Sequence, residues 1–600
     1  MFEVFNSRDK MYISQTVPVK AGDSLRFSVL LHDNCNCSDA CLIIRTDNGP
    51  SEWIHLTWAE KIAGEFNRWE VNYTPQTAGL YWYRFEYDGN WQRNKIMCVG
   101  SGKGDINCDG TEWQLTVYEP DYVTPDRFSG GLIYQIFPDR FHASGEPKDN
   151  VPQDRFIQTD WYAQPQWRQD NGTDSLCNDY YGGDLKGITQ KLGYIESLGV
   201  TVIYLNPIFE AHSNHRYNTA DYMKVDPLLG TEDDFVDLCK EAKKHGISVI
   251  LDGVFSHTGD DSIYFNRYSR YESNGAYNSP DSPYSSWFKF ICWPDKYHSW
   301  WGIPSLPETV EEDKSFTEFI CGENGVLRHW MRLGASGWRL DVADELPDVF
   351  LDEVRKAIKA ENPNALLIGE VWEDASNKIS YGGRRRFILG RQLDSVMNYP
   401  FRNAIIAFLM GGDAHDFEDA VMSIVGNYPK CALDLLMNHI GTHDTERILS
   451  VLGGARLDFN RADQSRVALT GQQRSKGLAL LRLAAVMQYT LPGIPSLYYG
   501  DEAGMEGLRD PFNRAGYPWN REDHSLVLFY KKLGEIRKNP VFAGGDFQPV
   551  WAENGLVAYM RVKDKKRIMI AVNRDEYEHI FNFEGTKYYV TPYSYFIEEI

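Results

Sequence analysis

Four short stretches carry more polar chemistry than apolar packing requires. They are Asp252-Gly-Val-Phe-Ser-His257, Gly337-Trp-Arg339-Leu-Asp341, Ile368-Gly-Glu370-Val-Trp372 and His443-Asp444. Each ends or follows an apolar run that reads as a buried strand. An Asp or Glu taken alone is more often a cap or a solvated charge. Shared placement at strand ends is what argues for chemistry here. The set suits hydrolysis of a glycosidic bond with retention. One carboxylate attacks the anomeric carbon and a carboxylic acid protonates the leaving oxygen, the two lying about 5–5.5 Å apart. Arg339 lies two residues before Asp341, so both side chains point to one side of the strand. A fixed guanidinium there is expected to keep Asp341 ionised and nucleophilic. Glu370 must start the cycle protonated, which partial desolvation favours. A third acid and two histidines can hold sugar hydroxyls and an oxocarbenium-like transition state.

The elements that position these groups follow from periodicity. Eight short apolar runs alternate with helical patterns: Gly131–Phe137, Thr201–Pro207, Ser248–Val254, Gly337–Val342, Ala365–Val371, Asp394–Asn398, Ala432–His439 and Ile494–Gly500. Buried strands alternating with amphipathic helices predict an α/β fold, a (β/α)8 barrel over 126–534, whose active groups sit at the C-terminal strand ends. A segment rich in Tyr, Ser, Asp and Trp, about 258–312, breaks the rhythm. It reads as a subdomain inserted after strand three that walls one side of the barrel mouth. Residues 1–125 alternate in character between Gly, Asp, Asn and Pro turns and predict an N-terminal β-sandwich. Six tryptophans fall there (Trp53, Trp58, Trp69, Trp82, Trp91, Trp113), and most are expected in its core. Residues 535–600 return to β character and predict a small C-terminal β-domain.

The chain has 600 residues, 42% hydrophobic and 24% charged, which suits a folded multidomain protein. A formal charge of −22 disfavours nucleic acid and anionic membrane surfaces. The first residues, MFEVFNSRDKMYIS, lack the apolar stretch of an export signal. The most apolar helical run, Gly477 to Leu491, contains Arg482 and Gln488 and is too short and polar to span a bilayer. A cytoplasmic location is expected. The ten cysteines are then expected as thiols. Cys35, Cys37 and Cys41 lack the second half of a zinc pattern. Aromatic residues reach 14%, and composition alone does not divide them between core and a sugar cleft.

The blocks DGVFSH, GWRLDVADE, GEVW and THDTE, supported by GVTVIYLNPIF, HRYNTADYMKVDP and GIPSLYYGDE, stand in order. In them the chain resembles the α-amylase family of glycoside hydrolases (family 13), most closely the neopullulanase, cyclomaltodextrinase and maltogenic amylase group. The resemblance covers essentially the whole chain, including an N-terminal sandwich similar to carbohydrate-binding modules. It implies Asp341 as nucleophile, Glu370 as acid/base and Asp444 as the third acid. It implies Arg339, His257 and His443 around the cleaved sugar, with Tyr217 as the aromatic platform beneath it. Asp252 resembles a structural aspartate, Trp372 a platform on the leaving-group side, and Asp510 and Arg514 holders of sugars further toward the non-reducing end. Asp344 and Glu345 follow the nucleophile and can shape the leaving-group side.

The implied activity is cleavage of α-1,4-glucosidic bonds in maltooligosaccharides, cyclodextrins, pullulan or starch fragments, with transglycosylation. An amylopullulanase also cleaving α-1,6 bonds is the near alternative. A non-catalytic α-glucan-binding protein on the same fold is the distant one. No organic cofactor is required. The resemblance also implies a homodimer, the sandwich of one chain bordering the mouth of another. Ser256 stands where many relatives carry a calcium-binding asparagine, so that calcium site is expected to be absent or weak. A second calcium loop is implied at HASGEPKDN, with Glu146, Asp149, Asn150, Asp184 and the Gly182 carbonyl as the oxygen cage. Ser144 departs from that loop's usual asparagine.

Overall fold

The computed structural model describes residues 2–168, 177–457 and 460–600. The chain divides into two compact units. One comprises Met1–Thr124 with Glu373–Asp394 and Glu418–Leu433. The other comprises Pro125–Trp372, Ser395–Phe417 and Asp434–Ile600. Two pieces of the barrel region thus join the N-terminal unit, which strand and helix periodicity does not show.

In the first unit an eight-stranded sheet and a three-stranded sheet enclose one core. Its centre is aromatic: Phe5 meets Tyr83, Phe85 and Trp113 at ring distances of 6.1, 4.7 and 4.8 Å. Of the six tryptophans only Trp113 is buried, while Trp53, Trp58 and Trp91 are exposed. The expectation that most would be core is therefore corrected. Trp53 and Trp58 occupy strands Glu52–His55 and Thr57–Ile62, whose residues are mostly open to water. No disulfide joins the cysteines among the described residues. Cys41 faces His55 and Asp39 rather than forming a site with Cys35 and Cys37.

The second unit holds the barrel. Its strands are β1 (Ile133–Ile136), β2 (Val202–Leu205), β3 (Ser248–Gly253), β4 (Gly337–Leu340), β5 (Leu366–Gly369), β6 (Ser395–Val396), β7 (Met437–His439) and β8 (Ile494–Tyr498). Each except β6 pairs in parallel with the next, and β8 returns to β1. A parallel bridge between Met397 and Met437 closes the ring. Ile133, Val202, Tyr204, Ile250, Leu366, Ile368, Met437 and Ile494 pack together, so the barrel is a filled core. Seven of the strands are short runs rich in β-branched or apolar residues; β7 begins late because Lys430–Leu433 first closes a helical turn. Several outer helices start at side-chain caps. Thr231 and Asp234 form a reciprocal capping box, as do Thr470 and Gln473.

The inserted segment follows β3 and is tied back by bridges His257–Glu308, Phe288–Thr309 and Ser299–Pro307. Its interior is aromatic, with Phe265 packed on Tyr277, Phe288, Phe290 and Tyr297. The C-terminal residues form a four-stranded antiparallel sheet and a hairpin around a core of their own. No described helix is long and apolar enough to cross a membrane.

Candidate active site

Parallel register brings the polar strand ends level. Asp252 on β3 pairs with Arg339 on β4, and Leu340 pairs with Gly369 on β5. Two backbone bonds carry the ladder one step further, Asp341 N–H to Gly253 O and Glu370 N–H to Leu340 O, both 3.0 Å. The two acids therefore leave adjacent strands at one height. Arg339 is fully buried between them. Its Nη1 donates to Asp252 Oδ1 at 2.8 Å and to Asp341 Oδ1 at 2.7 Å. Its Nη2 stands 2.7 Å from Glu370 Oε2.

Glu370 is held from three sides. Besides Arg339, Val342 N–H donates to Oε2 at 2.9 Å and Trp372 Nε1–H donates to Oε1 at 3.0 Å. Val342 reaches it with φ at +38°, a left-handed conformation costly for a β-branched residue. That strain aims an amide just past β4 at Glu370. Trp372 is stacked on Tyr399, with rings 4.0 Å apart and 14° from parallel.

The floor is a hydrogen-bonded network. Asp252 Oδ2 accepts from Tyr204 Oη at 2.6 Å and Tyr217 Oη at 2.8 Å. Tyr217 Oη also receives Asn206 Nδ2 at 2.9 Å and lies 2.5 Å from His443 Nε2. Gln135 Nε2 approaches His443 Nδ1 at 2.8 Å. The amide donates there, so Nδ1 accepts and the proton sits on Nε2, facing Tyr217 and Asp444. Asp444 Oδ2 is 3.1 Å from that Nε2. On the other side, Ser256 Oγ meets the buried His257 Nδ1 at 3.0 Å. Ser256 thus serves to orient a histidine.

Burial dominates the electrostatics. It pushes His257 down to about 4 and His443 well below the usual histidine range. Both are neutral at neutral pH, suited to uncharged sugar hydroxyls. Burial also raises Asp341 well above the carboxylate range; Arg339 opposes it, and the charges of Glu370 and Asp252 reinforce it. Arg339 lowers the Asp341 carboxyl as expected, but burial outweighs it. Asp444 is pushed up to about 7 by burial and by the Glu370 charge, although 32% of its side chain meets solvent, which moderates the effect.

The remaining expected residues fall around this centre. Arg514 Nη1 pairs with Asp510 Oδ1 at 2.9 Å, its Nε donates to His443 O at 3.0 Å, and Nη2 approaches Asp444 Oδ1 at 3.5 Å. Asp510 and Arg514 therefore brace the Asp444 loop. Glu345 accepts from Trp300 Nε1 at 2.6 Å and Trp301 Nε1 at 2.8 Å. The two indoles stack 5.0 Å apart, and Trp300 packs on His257. Trp301 is 76% exposed. The inserted segment thus presents a flat aromatic surface clamped by a residue four past Asp341. Gln135, Asn206, Tyr204 and Tyr399 escaped the sequence reading. Gln135 and Asn206 carried a usable signal, as lone amides ending the apolar strands IYQI and VIYL.

The proposed oxygen cage does not fit a divalent ion. Asp184 Oδ2 is taken by the Lys148 ammonium and by Ser144 Oγ at 2.6 Å. Glu146 Oε2 pairs with Lys186 Nζ at 2.5 Å. Asp149 and Asn150 are exposed, and Gly182 adopts a φ of +79°.

Comparison with known proteins agrees with this geometry. The family model "Alpha amylase, catalytic domain" matches residues 135–526. An amylopullulanase from Thermoanaerobacter thermohydrosulfuricus is 39% identical over 553 residues, covering 83% of this chain and 36% of its own. A cyclomaltodextrinase from Thermoanaerobacter pseudethanolicus is 33% identical over 479 residues, covering 76% and 72%. The type III pullulan hydrolase of Thermococcus kodakarensis superposes with a TM-score of 0.68 at 25% identity, covering 99% of this chain and all of that one. The chain spans only 30–44% of the length of three amylopullulanases it matches. A sandwich, a closed barrel with an insert after β3, a C-terminal sheet domain and the matched catalytic region together decide its affiliation: the chain belongs to the alpha-amylase family.

Proposed function

We propose that this chain is a retaining glycoside hydrolase that cleaves α-1,4-glucosidic bonds in maltooligosaccharides, cyclodextrins, pullulan or starch fragments. The observation that carries the reading is the single guanidinium of Arg339 gripping both Asp341 and Glu370. Carboxylates held that way suit the short separation of retaining enzymes, about 5–5.5 Å. In the first half-reaction Glu370 gives its proton to the glycosidic oxygen while Asp341 attacks the anomeric carbon. The leaving glucan departs with a free hydroxyl, and the sugar stays on Asp341 as an ester. In the second, Glu370 takes a proton from water, or from a sugar hydroxyl when glucan is transferred, and that oxygen displaces Asp341. Two inversions return the original configuration. Arg339 faces the carboxylate that Asp341 regains, and Asp444 with His257 and His443 bind hydroxyls of the distorted ring.

A second reading includes α-1,6 bonds. It is favoured by the amylopullulanases at 36–39% identity. Pullulan separates the two: panose as product reports α-1,4 cleavage and maltotriose reports α-1,6 cleavage. The catalytic reading itself is tested by Asp341→Asn. Wild type and variant releasing reducing sugar from maltotetraose equally slowly would remove it.

A further inference from the structure

The loop after β1 has the form of a cation site with its cation attached to the chain. Asp184 is 1% exposed and caps the helix Leu185–Gln190. Its Oδ1 accepts from Gly187 N–H at 2.5 Å and Ser144 N–H at 3.2 Å. Its Oδ2 accepts from Ser144 Oγ and from the Lys148 ammonium. A carboxylate offers about four acceptor sites, so both oxygens are filled. Asp184 N–H in turn bonds His142 O at 3.1 Å, closing the loop onto the cap. Beside it, Lys186 Nζ joins Glu146 to Asp234 Oδ1, the latter at 3.5 Å. Three carboxylates are thus met by two ammonium groups.

A calcium ion needs six to eight oxygens at about 2.3–2.6 Å. Both oxygens of Asp184 are already occupied, Oδ1 by backbone N–H groups and Oδ2 by Ser144 and Lys148, and Glu146 Oε2 is held by Lys186. Lys148 is largely sheltered, its side chain 17% exposed, and a sheltered ammonium persists only where a carboxylate compensates it. The two requirements meet on Asp184. We infer that the Lys148 ammonium stands in for a divalent cation in this loop. The loop folds without calcium, and removing the lysine opens a latent calcium site. Without Lys148, three carboxylates would face the single charge of Lys186, a deficit of two that suits a divalent ion.

Melting curves and metal content of the full chain test this independently of catalysis. The wild type is expected to melt at the same temperature in EGTA and in millimolar calcium, and to hold no calcium after gel filtration. Lys148→Ala is expected to melt several degrees lower in EGTA and to regain most of that loss in calcium. Lys148→Met, which keeps the aliphatic cover, should do the same with a smaller initial loss. A wild type that loses stability in EGTA or retains stoichiometric calcium overturns the inference. So do variants that melt lower but ignore calcium.

Discussion

Arg339 Nη2 stands 2.7 Å from Glu370 Oε2, yet that nitrogen makes no aligned hydrogen bond. Arg339 therefore holds Glu370 by charge, leaving its directed bonds to Val342 and Trp372, while Asp341 and Asp252 are held by directed bonds from Nη1. One planar fork spans three carboxylates, which a lysine's point charge cannot do. Arg339→Lys is expected to lower kcat on maltotetraose by about 10²–10³-fold, the scale of losing one positioned electrostatic group. Circular dichroism checks that the variant folds. An unchanged kcat would show that charge alone suffices.

Asp444 carries a stability cost with a definite pH window. Its carboxyl is raised from an unfolded value of 3.8 to about 7. The folded state holds that proton more tightly, so its contribution is complete below 3.8 and is lost as pH rises through about 7. Asparagine resembles the protonated form and does not titrate. Asp444→Asn is expected to match wild type in melting temperature near pH 4 and to exceed it above about pH 7, while losing most of its activity. A constant difference across that range would contradict the assignment.

Gln135 positions His443 through Nδ1. Gln135→Leu removes that donor and frees the other tautomer, so His443 no longer keeps its proton on Nε2 toward the sugar. The expected result is a fall in kcat of about 10-fold or more with little change in KM, since the contact tightens in the transition state. A purely structural role for Gln135 would instead appear as a lower melting temperature with kcat preserved.

Much of this arrangement could be read without coordinates. Each of the eight apolar runs contains one barrel strand, because a parallel strand covered on both faces has to be apolar. Asp341, Glu370 and Asp444 were legible because polar residues at successive strand ends have few structural reasons to be there. The ion pairs of the acidic loop, Lys148 with Asp184 and Lys186 with Glu146, are not legible in the sequence. An acidic turn with this spacing looks the same whether its cation is dissolved or is the side chain of Lys148. Trp53, Trp58 and Trp91 are exposed although tryptophan as a type favours the core, because residue type reports average burial, not which strands remain uncovered.

The Trp300–Trp301 pair also lay beyond the sequence, since its partner Glu345 is more than forty residues away. A flat exposed indole beside the site suits a glucose ring. Trp301→Ala is expected to raise KM for maltotetraose about three- to tenfold, the scale of one aromatic contact of roughly 0.5–1.5 kcal/mol, and to leave the melting temperature unchanged. An unaltered KM, and an unaltered ratio of transfer to hydrolysis, would assign the pair to folding of the inserted segment.

The central claim is that Asp341 and Glu370 act in two successive displacements. Proton NMR of the first turnovers on maltotetraose reads the anomer at the moment of release, before mutarotation blurs it. The account predicts the α-anomer in initial excess. The β-anomer in initial excess would mean a single displacement by water, and would contradict the roles of both residues.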